Sequence, residues 1–207
     1  DDNPEKRSLA SSQGLRVTGS ISDFDWESID RLIISPGVPH HFPSPHPIVS
    51  AAVSAGVLID NDVGLFFQSI ATKSWDKFSV RPRIVAVTGS NGKSTTASLL
   101  HHIFLKLGYK SQLAGNIGRG VLDIDPPENN ELIVLELSSY QIEVARILSP
   151  DLAIFTNFSA DHLERHGGIG GYLAAKRRLF TEGCPDYSII GVDELAGLNL
   201  AQQLSAR

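Results

Sequence analysis

Short continuous apolar runs alternate along the chain with stretches of helical periodicity. Leu32-Ile33-Ile34-Ser35 is an apolar run stopped by Pro36-Gly37 and predicts a short buried strand. Pro47–Ala55 carries proline near its start, where a missing N–H is harmless, and predicts a helix. Val57–Asp60 and Asp62–Ile70 repeat the strand-then-helix order. Thr72–Pro82 (TKSWDKFSVRP) is polar and lacks apolar periodicity, so it is expected to be a linker, with a domain boundary near residue 78. Beyond it, Arg83–Thr88 has the unbroken apolar character of a strand buried on both faces of a parallel sheet. Gly89–Lys93 reads as a loop and Ser94–Leu107 as a helix bearing Leu99, Leu100, Ile103 and Leu107. Further strands are predicted at Glu131–Leu137, Leu152–Thr156 and Tyr187–Val192, with helices between them, Gly170–Phe180 included. Such alternation specifies a parallel α/β sheet with right-handed crossovers, which binds ligands at the carboxyl ends of its strands.

The most specific motif falls at such an end. Thr88-Gly89-Ser90-Asn91-Gly92-Lys93-Ser94-Thr95 follows a strand and opens a helix. Glycines let backbone N–H groups turn toward an anion, and the helix N-terminus adds a positive dipole end. Lys93 can reach β- and γ-phosphates and Ser94 can ligate Mg²⁺, so Thr88–Thr95 is expected to cradle a nucleoside triphosphate, ATP. The spacing is a shortened variant, because Val87 stands where the usual pattern has its first glycine. The expected fold is therefore a P-loop-type parallel sheet in a central domain, residues 78–207, preceded by part of a smaller Rossmann-like α/β domain, residues 1–77.

Other residues are candidates for chemistry. Glu136 ends a predicted buried strand, a costly place for a carboxylate unless it meets a cation such as Mg²⁺. The alternative is a carboxylate capping the next helix, where Ser138 and Ser139 are also cap residues. Asn116, between Gly115 and Ile117, offers a carboxamide to a substrate without adding charge; a plain turn residue is the alternative. His162 sits just past a strand with Asp161 and Arg165 nearby, and Asp161 and Asn157 are expected to shape that loop. Lys176-Arg177-Arg178 alone reads as a solvated basic face. His40, His41 and His46 among prolines match no zinc spacing and are expected in a surface loop.

Composition narrows the class. The 207 residues are 42% hydrophobic and 20% charged, as in soluble globular proteins, and the net charge of −5 gives no footprint for nucleic acid. No apolar run approaches the ~18 residues of a membrane span. Asp1-Asp2-Asn3-Pro4 is no signal peptide, and a single cysteine, Cys184, excludes an internal disulfide and fits a reducing cytoplasm. The absence of any Met is expected either of a trimmed chain or of a sequence from which modified methionines have been dropped.

TGSNGKSTT resembles the ATP loop of the Mur ligases and of their relative folylpolyglutamate synthetase. Gly115-Asn116-Ile117-Gly118, Leu135-Glu136-Leu137-Ser138-Ser139-Tyr140-Gln141 and Thr156–His166 (TNFSADHLERH) resemble further family segments in the family order, and Ala174-Ala175-Lys176 comes next at the family's spacing. The match covers residues 83–192 well and 32–66 more weakly. The resemblance implies an ATP-dependent ligase of peptidoglycan precursor synthesis, working through an acyl phosphate. Within the family, the residues after Glu136 point to the member joining D-glutamate to UDP-N-acetylmuramoyl-L-alanine. It implies two Mg²⁺ ions, one held by Glu136, His162 and a carbamylated Lys176, the other partly by Ser94. Ser35-Pro36-Gly37 would face the UDP-sugar phosphates, although a strand-terminating turn explains it nearly as well; Asn116 and Ser138 would contact substrate. Lys93, His162 and Lys176 are the expected catalytic set, in a monomer. The first strand of the UDP-binding domain, with Asp1 or Asp2 as a remnant near the uracil, and the amino-acid-binding C-terminal domain are expected to lie outside the chain, leaving it inactive alone. The alternatives are another ligase of the superfamily, or a P-loop kinase or ATPase, which would have no need of Lys176.

Overall fold

A computed structural model describes residues 3–73 and 76–206. Asp1 and Asp2, and Ser74 and Trp75 of the expected linker, lie outside the described residues. Helix α1 (Pro4–Ser12) is capped by Asn3, whose side chain accepts from the Glu5 and Lys6 amides. Strands β1 (Arg31–Ile33) and β2 (Leu58–Asp60) pair in parallel around α2 (Pro47–Ser54), and α3 (Asp62–Lys73) comes after them.

The main sheet is all-parallel. Its strands β3 (Arg83–Thr88), β4 (Ser111–Gly115), β5 (Leu132–Glu136), β6 (Leu152–Phe155) and β7 (Tyr187–Ile190) lie in the order β4-β5-β3-β6-β7. Helices α4 (Lys93–Lys106), α5 (Ser139–Val144), α6 (Ile169–Thr181) and α7 (Leu195–Ser205) complete the chain. Side chains of the strands alternate between two cores. Val85, Val87, Val134 and Ile154 meet Ala97, Leu100 and Phe104 of α4 on one face. Ile84, Ala86, Ile133, Leu135, Ala153 and Phe155 face a larger cluster completed by Val63, Phe66 and Phe67 of α3, Ile142 of α5, Leu179 and Phe180 of α6 and Leu200 of α7. On α4, Leu100 is the residue of the expected apolar set that packs, while Leu99, Ile103 and Leu107 are exposed.

Two polar anchors tie the small sheet to the large one. Asp60, fully buried, pairs with Arg31 at 2.9 Å and accepts from the backbone amides of Asn61 and Arg146. Asn61 donates its side-chain amide to the Gln141 carbonyl at 2.8 Å. A third anchor corrects the sequence reading. Arg178 does not face solvent: it donates to the carbonyls of Ile142, Glu143 and Ala145 and to Glu182. Helix α5 has few residues, and its last carbonyls need an outside donor, which the guanidinium fork supplies. The same fork holds the Glu182 carboxyl below its usual range.

Phe66, fully buried, joins α3 to the main sheet. Phe66→Ala is expected to cost about 3–5 kcal/mol, read as a lower urea midpoint with an unchanged slope.

Candidate active site

Three adjacent strands end level. Val87 of β3 is in register with Glu136 of β5 and Ile154 of β6, and Thr88 Oγ1 donates to the Leu137 carbonyl at 2.9 Å. From this edge the phosphate-type loop leaves β3. Gly89 takes φ +144°, and a Cβ there would lie 2.0 Å from Thr156 Oγ1, so only glycine fits against the end of β6. The loop is pinned by the segment after β6. The Ser90 and Asn91 amides donate to the carbonyl and side-chain oxygens of Asn157, and Thr156 Oγ1 and Asn157 Nδ2 return bonds to the Asn91 carbonyl. Ser90 Oγ donates to the Ser159 carbonyl and lies 3.2 Å from the Tyr172 hydroxyl. Gly92 caps α4 with no side chain, so the first-turn N–H groups beside the exposed Ser94 and Thr95 have no side-chain cap and are open to an anion. Lys93 Nζ folds back onto the Ser90 carbonyl at 2.8 Å.

Beside the loop lies a cavity of about 130 Å³ lined by Lys93, Asn116, Ser138, Tyr140, His162 and Lys176, among others. Two larger clefts, of about 580 and 740 Å³, lie elsewhere and are lined by none of these residues. Lys176 is 1% exposed. Its ammonium donates to the Gly89 carbonyl at 2.7 Å and sits 4.5 Å over the Tyr172 ring. Burial first, and the charge of Lys93 second, lower its pKa to about 7, with Asp161 opposing. The sequence alone read this lysine as a solvated face; its neighbours on α6, Tyr172, Ala175, Leu179 and Phe180, turn its side inward.

Glu136 is 1% exposed at the end of β5. One carboxylate oxygen accepts from Asn116 Nδ2 at 3.3 Å, and the other, Oε2, is buried with no partner. Such an oxygen calls for a cation. Glu136 does not cap α5: Ser138 does, accepting from the Gln141 amide while Gln141 accepts from the Ser138 amide in a capping box. Asn116 is held by its amide to the Glu136 carbonyl at 2.8 Å, an approach allowed because Gly115 beside it has φ +111°. His162 is half exposed in left-handed backbone, its Nε2 3.4 Å from Asp161 Oδ2. Among the described residues no three His, Cys, Asp or Glu side chains converge to hold a metal; the cavity wall itself offers Asp161, His162 and Lys176, the last cationic unless modified.

Ser35, Pro36 and Gly37 do not line the cavity; Arg165 connects them to it through the Pro36 and Gly37 carbonyls. Sequence reasoning also missed an aromatic stack. Tyr140 lies 5.2 Å from both His162 and His166, and the buried His166 places Nε2 2.9 Å from Ser139 Oγ. His166 Nδ1 lies 3.0 Å from Glu143 Oε2 without hydrogen-bond alignment. The signal was present as an aromatic after two serines and a histidine after Arg165.

The family model of the Mur ligase middle domain matches residues 87–207. The chain belongs to the Mur ligase family. Three similar curated relatives, from Cereibacter sphaeroides KD131, Roseobacter denitrificans and Ruegeria pomeroyi, each bear the name UDP-N-acetylmuramoylalanine--D-glutamate ligase, with 59%, 60% and 58% identity over 205 residues. Each alignment takes in 99% of this chain and 44% of the relative, so this Mur ligase chain spans less than half the length of those relatives. Among its described residues no helix is long and apolar enough to cross a membrane.

The depressed pKa of Lys176 fixes a pH dependence. Between about 7 and the ordinary lysine value the unfolded chain binds the proton that the folded chain has lost, so stability should rise with pH across that window. Urea titrations in CO₂-free buffer should show this rise in the wild type and its loss in Lys176→Met.

Proposed function

We propose that the protein to which this chain belongs joins D-glutamate to UDP-N-acetylmuramoyl-L-alanine with ATP, in peptidoglycan precursor synthesis in the cytoplasm, as a monomer. Residues 1–77 form part of its UDP-substrate domain and 78–207 part of its ATP-binding domain. The observation that carries the reading is Lys176, fully buried beside a phosphate-type loop with a pKa near neutrality. A kinase or ATPase has no use for such a lysine. A neutral amine, formed when the ammonium loses a proton near pH 7, can add to CO₂: the N–C bond forms, one C=O pair moves to oxygen, a second proton leaves, and the former cation is an anion.

ATP would lie on Thr88–Thr95, its phosphates against the uncapped N–H groups of α4 and Lys93. The L-alanyl carboxylate attacks the γ-phosphorus and ADP leaves. The D-glutamate amine attacks the acyl carbon, and the tetrahedral adduct loses phosphate and a proton to give the amide. Lys93 offsets the meeting of two anions and stabilises charge in the transition state. The orphaned Glu136 Oε2 fits a hard cation. Glu136, His162 and carbamylated Lys176 would hold one Mg²⁺ and Ser94 would help hold a second. Magnesium supplies charge neutralisation when bound. Asn116 and Ser138, on the cavity wall, contact the substrate, and Ser35–Gly37 face its phosphates. A different ligase of the superfamily is the second reading, favoured by no observation on this chain.

The intact gene product, given Mg-ATP and UDP-N-acetylmuramoyl-L-alanine, should release phosphate with D-glutamate and not with L-lysine, diaminopimelate or no amino acid. Release with another amino acid keeps the ligase chemistry and overturns the D-glutamate choice; release with none overturns the ligase. Lys93→Ala should lower kcat by roughly a hundredfold or more. ¹³C-bicarbonate should give a carbamate NMR signal in the wild type that Lys176→Ala lacks.

A further inference from the structure

Arg165 is a partly buried guanidinium with two tasks visible in its contacts. It closes the 3₁₀ turn Leu163–Arg165 that starts at His162. Its Nη1 donates to the Gly37 carbonyl at 2.9 Å, and Nη2 reaches the Pro36 carbonyl at 3.5 Å. Its Cζ lies 4.9 Å over the Tyr140 ring, which lines the cavity and neighbours His162. One side chain thus spans from the turn after β1 to the wall of the candidate active site.

Within the turn proper, the amide left to give beyond Ser35 is that of Gly37. Val38 N–H closes it onto the Ser35 carbonyl at 2.9 Å, and Pro36 has no N–H. In a trans peptide C=O and N–H point opposite ways. Gripping the Pro36 oxygen therefore turns the Gly37 N–H away from Arg165. Gly37 is exposed, and nothing lies within 4 Å of where its Cβ would stand, so an anion could approach the backbone closely. The turn lies past the carboxyl end of β1, where parallel α/β sheets gather ligands.

We propose that Arg165 is a positioning residue: it holds the carbonyl side of the 35–38 turn so that the Gly37 N–H faces a phosphate of the nucleotide-sugar substrate, at a set distance from the cavity wall at Tyr140 and His162. The proposal rests on the ligase reading above. Guanidinium is required because a lysine can satisfy one carbonyl but cannot fork across two while keeping its charge over Tyr140.

The test uses the full-length protein, with Arg165→Ala, Arg165→Lys and Arg165→Gln checked for unchanged thermal midpoints. UDP-N-acetylmuramoyl-L-alanine kinetics, ATP kinetics and calorimetric binding of UDP are measured for each. Arg165→Ala should raise KM for the UDP-sugar roughly tenfold and weaken UDP binding in parallel, with KM for ATP changed by less than about twofold and Arg165→Lys in between. If Arg165→Ala does not fold, the Lys and Gln variants carry the same comparison. UDP-sugar KM and UDP affinity within about twofold of wild type in folded variants overturn the proposal, as does a parallel rise in KM for both substrates. A wild type without D-glutamate-dependent turnover overturns the ligase reading instead, and the UDP-binding comparison still decides whether Arg165 orients the turn.

Discussion

The candidate site depends on a shared register. Because β3, β5 and β6 are parallel neighbours with Val87 opposite Glu136 and Ile154, the loops leaving these strands emerge at the same height. The loop after β3 brings Lys93, the end of β5 brings Glu136, and the segment after β6 brings Asn157 and His162. The ladder brings these segments to one edge, and the bonds from Ser90 and Asn91 to Asn157 fix the loop there. The same ladder explains the glycines. Gly89 and Gly115 each leave a strand so close to its neighbour that a Cβ would strike Thr156 or the Glu136 carbonyl.

The second constraint is electrostatic. A buried ammonium and a buried carboxylate oxygen without a partner are both costly, and the structure holds one of each at this edge, Lys176 and Glu136. They do not neutralise one another. Lys176 turns to the Gly89 carbonyl and the Tyr172 face, and Glu136 to Asn116. A protein maintained only for stability would be expected to pair or replace them. Their separation makes sense if further charge enters: an anion-bearing nucleotide near Lys93 and a cation near Glu136.

Much of this was legible in the sequence. Strands β3, β5 and β6 are unbroken apolar runs, and the strand–loop–helix order around Gly92-Lys93-Ser94 identifies an anion loop on its own. The features hidden from the sequence share a physical cause: each is decided by contacts outside its own segment. Strand β4 (SQLAG) is an edge strand whose buried Gln112 bonds to the Asp125 backbone, so it shows no hydrophobic run. Helix α5 is too short for periodicity, and its stability comes from a capping box at one end and Arg178 at the other. Lys176 and Arg178 look alike in a basic triplet, yet one is buried against Gly89 and the other caps a helix, because only packing of α6 on the sheet decides which way each points.

The departure of the loop from the common P-loop spacing also has a structural reason. Val87 replaces the first glycine because β3 continues through it: Val87 is fully buried and paired on both sides. The turn is thereby shortened, and fewer amides can wrap a phosphate. Ser90 and Asn91 commit theirs to Asn157. The amides left for an anion include those of Gly92 and the start of α4. A loop built this way leaves its helix end open and is anchored at the other by the segment that leads to His162. Any shift of that segment must therefore move the phosphate loop with it. The chain's shortened loop and its TNFSADH segment are best understood as one part, in which Asn157 matters as much to the loop's geometry as the glycines do.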